Sequence, residues 1–362
     1  MEIRTLEQKI INLYCDMGED MRKLASIRKV KEIVPIDGAD QIENAKIDGW
    51  SCVVKKGVFQ PGSLGVYFEI DSFLPVDMPQ FEFLRKGGTK TIADGSVGYR
   101  IRTIKLRKTL SQGLFLPLKD FPNVFGNEGD DVTEIIGVKL YEPPIPANLR
   151  GEVEGLFPSF IRKTDQERVQ NIPEYFETHS PYVFESSEKL DGTSTTIFYY
   201  NERFGVCSRN YELRNTEPKT AYWQIVEENN LQKKLTELKL NIALQGEMIG
   251  EGINKNPYKL KGRQIFIFDI YDIDKQEYMS APKRRELVEK LGLNHVPYIE
   301  DIAAFERFNS VDDALQYVNR KSILCPSVPM EGVVFKSISG NIPYLSFKVL
   351  NNEVLLNEKD DY

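Results

Sequence analysis

The heptapeptide Ser187-Glu188-Lys189-Leu190-Asp191-Gly192-Thr193 decides how the second half of this chain is read. It offers a lysine amine, a carboxylate two residues later and a glycine that opens a turn. That trio suits attack of the amine on the α-phosphate of a nucleotide, with the carboxylate steering a metal ion that neutralises the phosphates. The alternative for Lys189 is an exposed turn lysine, since patterns as short as Lys-x-Asp-Gly recur by chance. What separates the two readings is the set of segments that follows.

Downstream, helical and extended patterns alternate. Residues 222–228 and 231–240 read as helical, and 242–247 as a strand running into a turn. Ile265-Phe266-Ile267-Phe268-Asp269-Ile270-Tyr271 reads as a buried strand. Pro282 near the start and Gly292 past the end frame a helix over 281–291. Residues 311–318 read as another helix, and 332–336 and 344–350 as closing strands. The result is a mixed α+β domain. Polar residues end its strands in a fixed order: Cys207-Ser208-Arg209-Asn210, Gln245-Gly246-Glu247, Phe268-Asp269-Ile270, Glu331-Gly332-Val333-Val334-Phe335-Lys336 and Ser346-Phe347-Lys348.

Upstream, residues 24–140 read as short strands punctuated by Gly and Pro, which suggests a small barrel. Strands are expected at 25–30, 50–54, 64–70, 99–106 and 113–117. The stretch 99–109 carries Arg100, Arg102, Lys105, Arg107 and Lys108 and no acid. It reads either as a phosphate-contacting patch or as a solvated edge strand guarded by charge. Tyr141-Glu142-Pro143-Pro144-Ile145-Pro146 continues neither a helix nor a central strand, so 141–160 is the expected linker. Leu6, Ile10, Ile11 and Tyr14 fall at near-helical spacing in an N-terminal extension, 1–20.

Composition bounds the function. A length of 362 residues favours two domains, and 41% hydrophobic with 28% charged residues describes a soluble globular protein. No apolar run approaches the ~18 residues of a membrane span, and the N-terminus lacks a signal-peptide core. Cys15, Cys52, Cys207 and Cys325 are far apart, which argues against a zinc site or a disulfide framework. A reducing, cytoplasmic setting is the default. His179 and His295 are too few for His-based catalysis and read as surface or satisfied core residues. The net charge of −7 disfavours nucleic acid on average, but phosphates respond to local patches.

As an ordered set, these segments resemble the motifs of covalent nucleotidyltransferases, the group that includes ATP-dependent DNA and RNA ligases and mRNA capping enzymes. The resemblance spans about residues 155–350. The run Phe157-Pro158-Ser159-Phe160-Ile161-Arg162-Lys163 through Asn171 and the Glu-Lys-x-Asp-Gly-Thr form are similar to RNA ligases. The strand-rich first half resembles the N-terminal OB domain of the Deinococcus-type RNA ligases, which seal 3′-OH/5′-phosphate nicks. Most ATP-dependent DNA ligases place that domain after the catalytic one. The resemblance implies an OB-like barrel at 21–140, then an ATP-grasp-like nucleotidyltransferase domain of antiparallel sheets and helices at 161–362.

It also implies roles. Lys189 would be the nucleophile and Lys348 a second catalytic group. Asp191 and Glu331 would hold a divalent ion, Mg²⁺ or Mn²⁺, with Glu247 at the metal or the nucleotide ribose. Glu188 would lie near the adenine edge, and Phe268 and Val333 would sandwich the base. Arg209, Lys348 and Arg168 would bind phosphates. ATP would be the co-substrate and RNA or an RNA-containing duplex the partner, with no membrane and no obligate protein partner. A free lysine, with a pKa near ~10.4, would need nearby cations such as a metal or Lys348 to favour the neutral amine. One departure stands out. Many of these enzymes have Lys-x-Lys where this chain has Ser346-Phe347-Lys348, so either Lys348 acts alone or another cation, such as Lys336, substitutes. A DNA ligase, a capping guanylyltransferase and an inactive RNA-binding scaffold remain the alternatives.

Overall fold

A computed structural model describes residues 23–145, 151–177, 182–338 and 345–357. The expected N-terminal helix, Cys15 and His179 lie outside them. The chain divides into two compact units, Met1–Pro146 with Leu355–Tyr362, and Ala147–Val354.

The first unit is built of short antiparallel strands: β1 (Ala25–Lys29), β2 (Glu32–Pro35), β3 (Ile42–Ile47), β4 (Trp50–Lys55), β5 (Leu64–Phe68), β6 (Ser72–Pro75), β7 (Val97–Arg100), β8 (Thr103–Leu106), β9 (Thr109–Gln112) and β10 (Leu114–Pro117). β5 pairs with both β1 and β10, and β2–β3–β4 form a meander. β4 is tied to β9 through side chains: Ser51 Oγ donates to Leu110 O at 3.0 Å, and Val53 N to Ser111 Oγ at 3.0 Å. Trp50, Tyr67 and Phe115 fill one side of the core, and Phe68, Phe81 and Phe121 the other.

The basic stretch expected as one strand is two. Ile101 is buried, donates to Ser72 O at 2.8 Å and accepts from Asp71 N, which turns the chain between β7 and β8. Arg100 is consequently tied down: its guanidinium reaches Asp71 Oδ1 at 2.7 Å and covers the Tyr141 ring at 4.4 Å. Arg102 is exposed, and Arg107 and Lys108 form the tip of the β8–β9 hairpin.

The second unit has two sheets. The first contains β11 (Val153–Leu156), β14 (Thr193–Tyr200), β15 (Arg203–Cys207), β16 (Tyr211–Leu213), β17 (Ile242–Gly250) and β18 (Arg263–Asp272), in the order β11-β16-β15-β14-β17-β18. The second contains β12 (Glu167–Arg168), β13 (Phe184–Lys189), β19 (Tyr298–Ile302), β20 (Gly332–Ser337) and β21 (Ser346–Leu350), in the order β12-β21-β20-β13-β19. β11 falls inside the expected linker 141–160. Its Val153 is buried and pairs with Leu213, so the linker span ends earlier than the prolines suggested.

Helices α1 (Ala221–Glu228), α2 (Leu231–Leu238) and α3 (Ala281–Lys290) cover one face of the first sheet. Thr220 caps α1 through Trp223 N, and Trp223, Leu231, Leu235 and Val288 pack on Ile197, Leu244, Ile265 and Ile267. Gly292 follows α3 at φ 61°, the left-handed stop that glycine favours. Behind the second sheet, Phe335 and Phe347 stack at 4.8 Å among Phe184 and Phe305. His295 is satisfied, as expected: it shares a 2.7 Å hydrogen bond with Val296 O and accepts from Arg284 Nε at 3.1 Å. Burial, with Arg284 beside it, holds its pKa down at about 4.

Candidate active site

The turn Leu190–Gly192 links the last residue of β13 to the first of β14, so it joins the two sheets. A cavity of about 330 Å³ opens there, lined from both sides. Gly192 is required at this crossing. A Cβ on it would stand 2.4 Å from Met248 O and 2.5 Å from Ile249 Cγ2, so only glycine lets the turn close against β17.

Lys189 projects into the cavity, and its Nζ donates to Glu331 Oε1 at 2.7 Å. The register explains the meeting: Lys189 pairs with Gly332, the residue after Glu331. Burial pulls the amine's pKa down. The carboxylates of Glu331, Glu247 and Asp191 pull it up and prevail, so the amine is held protonated. This corrects the expectation that nearby cations make it neutral, because the charges closest to it are acids. Glu247 projects from β17 beside Ser194. Burial and the repulsion of Glu331 and Asp191 raise its pKa to about 7 against the opposing pull of Lys189.

Asp191 is held from a loop far along the chain. Asn254 Nδ2 donates to Asp191 Oδ1 at 2.9 Å and to Gly192 O at 2.6 Å, and Asp191 N donates to Tyr258 Oη at 2.7 Å. Three carboxylates around one amine leave an excess of negative charge, and all their donors are oxygens. That set fits a hard divalent cation such as Mg²⁺ or Mn²⁺. Among the described residues no three acidic, His or Cys side chains stand close enough together to hold an ion by themselves.

The apolar end of the cavity holds Phe268. β17 and β18 change register between Gln245 and Gly246, where Asp269 and Ile267 are the respective partners, so Phe268 is the extra residue of a β-bulge. A bulge re-aims a side chain, and here it delivers a half-buried ring to the cavity wall. Its neighbours Ile265 and Ile267 stay in the core under the helices.

Across from it, the residue expected on the other base face is misplaced by one. Val333 is fully buried on the side of Phe335 and does not line the cavity, whereas Val334 and Lys336 do. Residues 332–336 are buried on both faces, so their pattern shows no alternation to reveal which residues look inward. Glu188 lines the cavity, but its Oε2 accepts from Ile323 N at 2.8 Å and Leu324 N at 3.3 Å, which ties it to the 322–328 loop. Burial raises its pKa above the ordinary value despite those bonds.

Lys348 and Arg209 mark the polar end. Lys348 pairs with Val334 across β20–β21 and lines the cavity; burial lowers its pKa to about 8, with Asp165 opposing and Arg168 assisting. Arg209 lines the cavity and binds Asp165 at 2.9 Å. Arg168 lies in register with Lys348 on β12 but is not part of the lining. Lys336 stands opposite Ser346, where the missing lysine would be, yet it is spoken for: it reaches Asp269 at 2.8 Å and Phe268 O at 2.6 Å. Lys336 is therefore committed to the apolar end beside Phe268, and Lys348 is left as the last-motif lysine of the polar end.

Sequence reasoning missed Asn254 and Tyr258, which reach Asp191 across more than sixty residues of chain; no local pattern signals such a contact. Lys163 and Thr164 also line the cavity.

Comparison with known proteins agrees with this geometry. A family model described as RNA ligase matches residues 183–350, and one for an OB-fold domain matches 24–118. No curated protein matches the chain. Among solved structures, the Naegleria gruberi RNA ligase with PPi is 45% identical, covers 94% of this chain and 100% of its own, and superposes with a TM-score of 0.77. This chain belongs to the RNA ligase family. Mutants of the same Naegleria gruberi ligase have been solved with AMP and Mn (45% identity, 94% and 100% coverage, TM-score 0.78) and with ATP and Mn (45%, 94% and 100%, 0.77). The family's N-terminal OB fold and sheet-rich second domain are both present here.

Proposed function

We propose that this ligase uses ATP to seal a 3′-OH against a 5′-phosphate in RNA, at nicks in duplexes, through a lysyl-AMP intermediate. The observation that carries the reading is Lys189 Nζ, 2.7 Å from Glu331 and faced by Glu247 and Asp191, at the mouth of a cavity with an aromatic wall.

Phe268 and Val334 give the base two apolar surfaces, with Glu188 beside them in the lining. Lys348 and Arg209 hold the phosphates and stabilise charge that builds up during transfer. Asp191, Glu331 and Glu247 would hold a divalent ion, which would supply charge neutralisation at the phosphates and offset the carboxylate pull on the amine. Lys189 yields its proton towards Glu331 Oε1, the nearest acceptor, and its lone pair attacks the α-phosphorus. The α–β bridging bond breaks and pyrophosphate leaves with the electron pair. A 5′-phosphate oxygen of RNA then attacks the same phosphorus, the P–N bond breaks, and the pair returns to Nζ, which regains a proton. Finally the 3′-hydroxyl oxygen attacks the activated 5′-phosphate, losing its proton as AMP departs.

The first unit is proposed to grip the duplex. Of the five cations assigned to that task, Arg102, Arg107 and Lys108 are the better placed, because Arg100 is committed to Asp71. A cytoplasmic setting suits the free thiols of Cys52, Cys207 and Cys325; among the described residues no helix is long and apolar enough to cross a membrane.

The test compares α-labelled ATP and GTP with Mn²⁺ on the native chain and on Lys189→Ala. Label from ATP alone, on the native chain alone, is expected. Label from GTP would favour a guanylyltransferase, and no label an inactive scaffold. A nick with ribose or deoxyribose at its 3′ end then separates RNA from DNA sealing.

A further inference from the structure

The β17–β18 connection, residues 251–262, is built in a way the nucleotide site alone does not require. Asn254, Lys255 and Asn256 follow one another at φ 39°, 60° and 47°, and Lys259 lies at φ 54°. Left-handed residues are ordinarily single and glycine or asparagine, so a lysine in the middle of such a run is costly. The surroundings enforce it. Asn256 brackets Leu260 with two hydrogen bonds, 2.8 Å to its carbonyl and 3.1 Å from its amide. Glu251 N donates to Gly262 O at 2.9 Å, and Arg263 Nε to Glu251 O at 3.0 Å. Tyr258 is buried against the catalytic turn, and Asn254 both lines the cavity and holds Asp191.

This rigid loop carries Lys255, Lys259 and Lys261, all exposed, with Glu251 its only acid. None of the three lysines forms an ion pair among the described residues. Three uncompensated cations are thus carried by a loop whose Asn254 lines the cavity and whose Asn254 and Tyr258 bond the turn that follows Lys189. The second step of sealing requires a 5′-phosphate to reach the adenylate on Lys189, so that strand end must enter past the catalytic turn.

We propose that the loop 251–262 is a seat for the RNA strand end, with Lys255, Lys259 and Lys261 contacting its backbone phosphates. The proposal rests on the RNA ligase reading. A flexible loop would lose entropy on binding, and the strained conformation spares that cost by presenting the cations ready-made. The hydrogen bonds of Asn254 keep this seat in a fixed relation to Asp191.

The test uses the full chain with all three lysines changed to Gln, and a second variant with all three changed to Arg. Self-adenylylation by ATP and Mn²⁺ should match native in both, which also reports that they fold. Sealing of a nicked RNA duplex should fall roughly 10-fold or more in the Gln variant and recover with Arg. Binding to a nicked duplex lacking a reactive 5′-phosphate should lose about 2–3 units of its log–log salt slope, near one per phosphate contact. Native-like sealing and an unchanged salt slope in the Gln variant would overturn the proposal. Failure of the native chain to adenylylate would instead remove the ligase reading, and the salt slope would still decide whether the loop binds RNA.

Discussion

The carboxylates of Glu331, Glu247 and Asp191 hold the proton on Lys189, and in the proposed chemistry the same three acids would hold the metal. The rate of adduct formation at fixed, saturating ATP and Mn²⁺ should fall above about pH 8, where Lys348 loses its charge; a flat profile from pH 7 to 9 would contradict that role. Lys348 also lacks the lysine partner usual at position 346, since Lys336 is bound to Asp269 and Phe268. Lys348→Ala should lower adenylylation by roughly 10²-fold, the scale of losing one preorganised charge donor, whereas Ser346→Ala should change it little. The same burial has a stability cost. The folded pKa of Lys348 lies below the unfolded value, so the folded state binds fewer protons between pH 8 and 10.5 and this group's penalty is relieved as pH rises through that window.

Strand faces show where sequence reading works and where it stops. Lys189, Asp191, Glu247, Glu331, Phe268, Arg209 and Lys348 stand out in the sequence as members of ordered motifs, and all line one cavity. Val333 faces the core and Val334 the cavity, a choice the sequence does not reveal because a doubly buried strand carries no period-two signal; only the pairing with β13 and β21 places Val334 inward. Thermal melts and ATP titrations of the two alanine variants check this. Val333→Ala should cost about 2 kcal/mol of stability, as for deletion of buried methyl groups, with the KM for ATP unchanged. Val334→Ala should raise that KM with Tm nearly unchanged; reversed outcomes would restore the first assignment. The bulge at Phe268 was equally invisible, since an Ile-Phe-Ile-Phe run looks the same with or without an extra residue. At the turn, Gly192→Ala would force a Cβ to within 2.4 Å of Met248 O, costing about 1–3 kcal/mol and displacing Asp191. Adenylylation should fail in that variant even at temperatures where it remains folded.

At the scale of the whole molecule, composition and Pro/Gly punctuation gave the order of the two units, a strand-rich one before a mixed one. Their internal boundaries were less readable. β2 and β3 are too polar to alternate, and β11 lies in a stretch that prolines had marked as a linker. The contacts that complete the site, Asn254 and Tyr258 on Asp191, depend on how the β17–β18 loop folds back, which no local pattern encodes. The proposed sealing reaction depends on one covalent bond, between Lys189 Nζ and the phosphorus of AMP. Peptide mass spectrometry of the purified chain after incubation with ATP and Mn²⁺ tests it directly. The expected result is a single AMP adduct, labile to acid, on the peptide containing Lys189, absent in Lys189→Ala and discharged when a nicked RNA duplex is added. An unmodified Lys189 peptide under those conditions, or an adduct mapped to another lysine, would contradict it.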